Sequence, residues 1–227
     1  MRSRRELLHA TAASVGALVI VGCKSGGAQD TDQEGDVTAS EDLMREHGVV
    51  RRLLGVLEAC AARFDQGARP FEALAGATEV IRRFGEDYHQ QLEEQYLFPR
   101  FQRNALHAEL VDTLVIQHRV GRAQTDELIA CAKARLADAP TRDRARRAIA
   151  AFAQMYRPHA AREDTVLFPD LHKVATRGEL DELADVLERE ERHRFGPHGY
   201  HDIVEQVAEL ERGLGIYELA RFTPVSS

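Results

Sequence analysis

The stretch HQQLEEQYLFP at residues 89–99 returns as HAAREDTVLFP at residues 159–169. Both copies follow the pattern HxxxE(E/D)xxLFP. On a helix, side chains four residues apart lie on the same face, so each copy presents an imidazole and a carboxylate to one point in space. The repeat therefore predicts two matching helices that carry the same pair of polar groups.

Four segments of the chain show the apolar periodicity of amphipathic helices, with steps of three and four residues. Short connections at residues 66–70, 104–107 and 139–141 separate them. We expect Ser40 to cap the first helix and Thr141 to cap the fourth. Four long helices joined by short turns predict an all-α protein, an antiparallel four-helix bundle with additional C-terminal helices.

Each of the four segments places a histidine on its apolar face. The first and third histidines are 71 residues apart, and the second and fourth are 70 apart. Such matching intervals indicate an internal duplication, and two similar halves build a symmetric centre. The four histidines are His47, His89, His118 and His159.

A single histidine on an apolar face is more often a packed core residue than a metal ligand. Four histidines with two carboxylates are different, because a buried ionised carboxylate needs a charge partner. Imidazole and carboxylate without thiolate favour iron or manganese over structural zinc. The alternative is that Glu93 and Glu163 form internal salt bridges with Arg51, Arg122 or Arg162. We favour a metal site formed by His47, His89, Glu93, His118, His159 and Glu163.

These motifs resemble those of the hemerythrin-like, or HHE cation-binding, domains over about residues 40–175. The resemblance implies a non-haem centre of two iron ions held by the four histidines, with manganese less favoured. It also implies that Glu93 and Glu163 bridge the two ions. The expected function is to bind or sense oxygen or nitric oxide, or to hold iron, with peroxide as another small ligand. The alternatives are a di-iron redox enzyme and a metal-free helical scaffold.

The chain departs from the oxygen-carrying hemerythrins at two positions. Arg122 stands where they have a further histidine, and Glu163 follows its histidine by four residues where they have an aspartate at five. With four histidines in place of five, two imidazoles, two bridging carboxylates and a solvent bridge would give each iron about five ligands, which leaves one coordination position open on each. Glu94 and Asp164 remain candidates for an additional ligand.

The N-terminus has the pattern of an export signal over residues 1–23, with a basic start, an apolar run and a small residue before Cys23. Arg4 and Arg5 resemble a twin-arginine signal, and Cys23 resembles the lipidated cysteine of a bacterial lipobox. The alternative is an uncleaved anchor helix. We expect an exported lipoprotein on the periplasmic side of the bacterial envelope, held to a membrane by Cys23, with residues 24–39 as a flexible tether.

Composition and net charge limit the classes of partner that the protein is expected to bind. The chain has 227 residues, of which 44% are hydrophobic and 30% charged, as expected for one helix-rich domain. Its formal net charge is −7, and removal of residues 1–23 makes it more negative. No basic cluster interrupts this acidity, so nucleic acid is not an expected partner.

Residues 176–227 predict a C-terminal extension with one helix from Arg177 to about Arg192 and another from Asp202 to Leu214. We expect these helices to cover one face or end of the bundle. Other residues are expected to be structural or to have no assigned role: the buried free thiols Cys60 and Cys131, the helix-end histidines His107 and His172, the turn histidines His193, His198 and His201, and the packing tyrosines Tyr88, Tyr96 and Tyr156.

Overall fold

The computed structural model describes residues 37–64 and 66–224, and within them all regular secondary structure is helical. The predicted all-α class is confirmed. The expected export signal, Cys23 and the first thirteen residues of the expected tether lie outside the described residues. Among the residues that are described, no helix is both long enough and apolar enough to cross a bilayer.

Four helices form the bundle. Helix α1 is Ala39–Phe64, α2 occupies residues 71–103, α3 is Ala108–Lys133 and α4 occupies residues 139–173. Helix α3 packs along α4 and α2, and α1 packs along α4 and α2. Helices α2 and α4 both change helix type along their length. The segments of α2 are Phe71–Val80 (α), Ile81–Gln90 (π), Glu93–Leu97 (π) and Phe98–Arg103 (α). Those of α4 are Ala139–Arg162 (α), Glu163–Leu167 (π) and Phe168–Lys173 (3-10).

The N-terminal caps of α1 and α4 differ from the sequence-based expectation. Thr38, not Ser40, caps α1: its hydroxyl accepts from the Glu41 N–H at 3.3 Å, and the Glu41 carboxylate accepts from the Thr38 N–H at 3.0 Å. Asp138 caps α4 by accepting from the Thr141 N–H at 2.7 Å. In both helices the capping oxygen belongs to the residue just before the first helical one, where free N–H groups need an acceptor.

Both repeated motifs contain a π-helical turn that the sequence reasoning missed. The turns are Glu93–Leu97 and Glu163–Leu167, and in each the N–H of the following phenylalanine donates to the carbonyl five residues earlier. The proline of each LFP sequence comes next. Because a proline ring clashes with the carbonyl four residues before it, a wider turn relieves the strain without ending the helix.

Two further helices, α5 (Arg177–Phe195) and α6 (Gly199–Gly213), pack against α1 and the α-helical start of α2. Helix α5 begins with a capping box between Thr176 and Glu179. The prediction that these helices cover one face of the bundle is confirmed. They contribute Leu183, Leu187, Ile203 and Val207 to the main core.

Cys60 and Cys131 are buried and form no disulfide, as predicted. Burial raises the pKa of the Cys60 thiol to about 12. A neutral buried thiol is a poor nucleophile, so Cys60 serves as an apolar packing residue.

Leu187→Ala tests whether α5 belongs to the core of the bundle. The side chain is 1% exposed, so we expect the free energy of unfolding to fall by about 2–5 kcal/mol in a single cooperative transition. The control is Leu219→Ala, at a leucine that is 81% exposed, with an expected change below about 0.5 kcal/mol. Denaturant unfolding followed by circular dichroism measures both. A separate early transition for α5 and α6 would contradict a shared core.

Candidate metal centre

The six predicted site residues meet in the middle of the bundle. Each is at most 3% exposed. They form two groups of three. Within each group, the potential ligand atoms lie within 4.8 Å of one another. We name these groups position 1 (His47, His89 and Glu93) and position 2 (His118, His159 and Glu163).

The two carboxylates connect the two positions. Glu93 places Oε1 3.4 Å from His89 Nε2 and Oε2 3.4 Å from His118 Nε2, so it reaches a histidine of each position. Glu163 does the same with a single oxygen, since Oε2 lies 3.3 Å from His47 Nε2 and 3.2 Å from His159 Nε2. The arrangement fits bridging carboxylates.

Several of these buried atoms have no hydrogen-bond partner among the described residues. They are Nε2 of His47, Nε2 of His89 and both oxygens of Glu93 and of Glu163. The Nε2 atoms of His118 and His159 face each other at 3.2 Å. Two donors bound at right angles to one ion by bonds of about 2.1 Å stand about 3.0 Å apart. The observed separations therefore fit shared ions, which would satisfy the unpartnered atoms.

The outward nitrogen of every site histidine is held by a second residue. Because carboxylate and amide oxygens accept hydrogen bonds, each Nδ1 donates and the Nε2 of a neutral ring keeps its lone pair for the centre. The Nδ1 contacts are His47 to Asp164 Oδ1 (2.7 Å), His89 to Glu46 Oε2 (2.6 Å), His118 to Glu94 Oε1 (2.8 Å) and His159 to Gln117 Oε1 (2.9 Å).

Glu94 and Asp164 are thus partners of histidines, and neither belongs to a metal-binding group of the described residues. Each also binds an arginine one turn beyond the histidine that it holds: Arg122 Nη2 lies 2.7 Å from Glu94 Oε1, and Arg51 contacts Asp164. The alternative in which these arginines neutralise the two central glutamates is therefore wrong. Arg162 is exposed. Arg122, at the position compared above with a further histidine, therefore forms an ion pair with Glu94 outside the centre.

Comparison with known proteins agrees with this geometry. Residues 38–171, and again residues 109–193, match the family described as the hemerythrin HHE cation binding domain. The chain belongs to this family. It is 42% identical over 233 residues to uncharacterized proteins of Mycobacterium tuberculosis and Mycobacterium bovis, an alignment that covers 97% of this chain and 91% of theirs. No solved structure gives a significant match.

The LFP sequences form the apolar walls of this hemerythrin-type centre. Phe168 stacks on the ring of His47 with centroids 5.4 Å apart, and Phe98 stacks on His118 at 5.5 Å. The ring of Tyr156 lies 5.0 Å from that of His159, and its hydroxyl accepts a hydrogen bond from Gln90. Each phenylalanine comes from the motif of one helix and covers a histidine of another, which explains why LFP accompanies HxxxE.

Without a cation, protons must compensate the negative charge of the buried carboxylates. Burial and the nearby charge of Glu163 raise the pKa of Glu93 well above its usual range. Burial opposes protonation of His47, but the hydrogen bond with Asp164 and the nearby charge of Glu163 raise its pKa to about 9. Burial lowers the pKa of His118 to about 4. A cation that enters therefore displaces protons, because imidazoles and carboxylates bind metal in their deprotonated forms.

Other predicted residues lie away from the centre or serve packing. His193, His198 and His201 are exposed and belong to no metal-binding group among the described residues. Tyr88 and Tyr156 are buried and pack in the core of the bundle. The helix-end histidines have partners outside the centre. His107 contacts Asp170 of α4 at 2.7 Å, and His172 contacts the Pro169 carbonyl of its own helix at 2.7 Å.

Sequence reasoning missed Glu46 and Gln117, although a signal was present. Each comes directly before the histidine that begins its half of the repeat, His47 or His118. The duplication therefore extends to a pattern (E/Q)HxxxR on α1 and α3. The polar residue that precedes the histidine in both halves was the available signal.

A double substitution of Glu93 and Glu163 by alanine tests the bridging assignment. We expect stoichiometric metal binding and the metal-induced rise in melting temperature to disappear, because the remaining imidazoles cannot bridge two ions. Elemental analysis and thermal unfolding with and without added metal measure this. The control is Glu109→Ala with Glu218→Ala, at two exposed glutamates, and should load normally. Retention of both ions by the Glu93/Glu163 variant would refute the assignment.

Proposed function

We propose that this protein holds two iron ions in the centre of the bundle and binds a small ligand, oxygen or nitric oxide, at that centre. The observation that carries the proposal is the set of unpartnered Nε2 and carboxylate oxygen atoms, buried and turned toward one another. Two carboxylates in an apolar core need cations nearby, and a pair of ions supplies the charge.

The donor set favours iron. Four imidazoles and two carboxylates suit iron or manganese, whereas structural zinc sites commonly include thiolates. The described cysteines belong to neither metal position. Bridging carboxylates, as Glu93 and Glu163 are placed, suit two ions held close together. Family membership supports the same choice, since the matching family is one of cation-binding domains.

The surroundings of the centre favour a small uncharged ligand. Two imidazoles, two shared carboxylates and a bridging oxo or hydroxo group would supply five ligands to each ion, so one position of the six-fold coordination that iron commonly takes remains for a further ligand. Phe98 and Phe168 cover the imidazoles, and the donors are inaccessible to solvent. Larger or charged molecules would require the bundle to open. Bound iron supplies the redox chemistry, while the protein holds the imidazoles in place and limits access to the centre.

Elemental analysis of protein purified from its native compartment, together with visible spectra, tests this function. We expect two iron ions per chain and a new absorption band when nitric oxide is added to the reduced protein under anaerobic conditions. The variant His89→Ala with His159→Ala, which removes one imidazole from each position, should lose both properties.

Three other outcomes would contradict the proposal in different ways. Stoichiometric manganese would show that the bound metal is manganese and not iron. An absence of metal would support the alternative of a metal-free helical scaffold. Sustained turnover of hydrogen peroxide by the iron-loaded protein would favour a redox enzyme over a binding protein.

We also propose that the protein is an exported lipoprotein of the bacterial cell envelope, anchored through Cys23. The supports are the arginine pair Arg4 and Arg5, the apolar run after it, and the small residue before the cysteine. A diacylated cysteine with a polar tether would hold the bundle close to a membrane surface.

Metabolic labelling with a fatty acid tests the anchor. Full-length protein should carry the label and sediment with membranes, and Cys23→Ser should lose the label. Cys60→Ser, at a buried thiol, is the control and should keep it. An unlabelled wild-type protein in the soluble fraction would refute the lipid anchor without affecting the proposed metal centre.

A further inference from the structure

We propose that the two metal positions are unequal, and that position 1 fills first and holds its ion more tightly because Glu46 stands where Gln117 stands in the other half. This inference rests on the proposed function. It concerns the residues behind the histidines, which no family assignment specifies.

The difference is confined to one of the two outer contacts at each position. His47 and His118 have equivalent partners, carboxylates at 2.7 and 2.8 Å from Nδ1, each of which also binds an arginine. The other pair is not equivalent. His89 Nδ1 lies 2.6 Å from a carboxylate oxygen of Glu46, whereas His159 Nδ1 lies 2.9 Å from the amide oxygen of Gln117.

A carboxylate behind an imidazole strengthens the imidazole as a ligand. The negative charge attracts the Nδ1 proton and pushes electron density toward Nε2, which raises the basicity of the ligand atom. A neutral amide also orients the ring, but it raises the basicity of Nε2 much less. Both imidazoles of position 1 have a carboxylate behind them, and only one imidazole of position 2 does.

The charge around the centre has the same asymmetry. Position 1 is backed by Glu46 and Asp164 with one arginine, and position 2 by Glu94 with one arginine. The partners of position 1 therefore carry one more negative charge. Because Glu46 is 1% exposed, solvent screens this charge poorly.

Further acidic residues lie on the side of position 1. Asp42 and Glu191 place carboxylate oxygens within 4.8 Å of an oxygen of Glu46, and Arg45 lies 2.5 Å from Asp42 and 4.0 Å from Glu191. Arg45 thus contacts two of these three acids. Apart from the central glutamates and this cluster, the remaining buried acid of the described residues is Glu86, which is paired with Arg82 at 2.9 Å. The field that attracts a cation is therefore stronger at position 1.

The consequence is a form with one ion at intermediate metal supply. At low metal, position 1 alone is filled. The complete two-ion centre, which the proposed ligand binding needs, forms only when the supply is sufficient to fill position 2. Ligand binding then follows the occupancy of position 2 and not the total amount of bound metal.

Exchange of the two residues tests the inference. The full-length protein, freed of metal, is titrated with Co²⁺ as a redox-stable probe, and bound metal is measured by equilibrium dialysis and visible absorption. Wild type should bind two equivalents in two steps. Glu46→Gln should weaken the first step by about 10- to 100-fold and bring the steps together, and Gln117→Glu should strengthen the second step by a similar factor. These two variants predict changes of opposite sign, so a failure of one to fold leaves the other informative.

The double variant Glu46→Gln with Gln117→Glu keeps the charge and composition of wild type. Anomalous scattering from crystals with one equivalent of Co²⁺ should place the ion at position 1 in wild type and at position 2 in the double variant. Glu58→Gln, at an exposed residue of α1 that pairs with Arg157, is the control and should match wild type.

Equal occupancy of the two positions at one equivalent, or first occupancy of position 2 in wild type, would overturn the inference. Binding of two equivalents in one step would do the same and leave the proposed function intact. An absence of stoichiometric Co²⁺ binding would overturn both.

Discussion

The burial of two carboxylates in the middle of a helical bundle is the constraint on which the rest of this structure depends. Glu93 and Glu163 are 0% exposed, and Arg51 and Arg122 bind other acids, Asp164 and Glu94. An ionised carboxylate in an apolar core costs several kcal/mol unless a cation or a proton compensates. The raised pKa of Glu93 reflects this cost. Two metal ions would remove it and satisfy the unpartnered nitrogen and oxygen atoms as well.

The surrounding network explains why the donors are held in place. Each histidine is fixed at Nδ1 by an acid or amide from another helix, so the four helices are joined pairwise through the site: α1 to α4, α1 to α2, α2 to α3 and α3 to α4. The centre is therefore part of what holds the bundle in register. Outer partners of this kind orient the ligands and adjust their basicity. Variation among them therefore changes the affinity for the metal without changing which residues bind it.

Much of this could be predicted from the sequence because the duplication repeats the same spacing. A period of four residues placed His89 with Glu93 and His159 with Glu163, and the apolar pattern placed all four histidines inward. The roles of Glu46 and Gln117 were missed because their contacts cross between helices, and rotation of α1 and α3 decides which neighbour of a histidine faces the next helix. The π turns at Glu93 and Glu163 were missed because they arise from the proline six residues later and not from a local preference.

The cap assignments show the same limit at smaller scale. Ser40 and Thr141 are suitable capping residues, yet Thr38 and Asp138 take that role because the helices begin two or three residues earlier than the apolar pattern suggests. The apolar period locates the middle of a helix well. Its ends depend on which oxygen reaches the first free N–H groups, and a sequence with several candidates leaves that choice open.

The most direct measurement of the central claim is a crystal structure of the metal-loaded protein with anomalous data at the iron absorption edge. This account predicts two peaks among the six donors, one at each position, with Glu93 and Glu163 between them. A map with no metal density there, or with the six side chains turned to solvent, would contradict it.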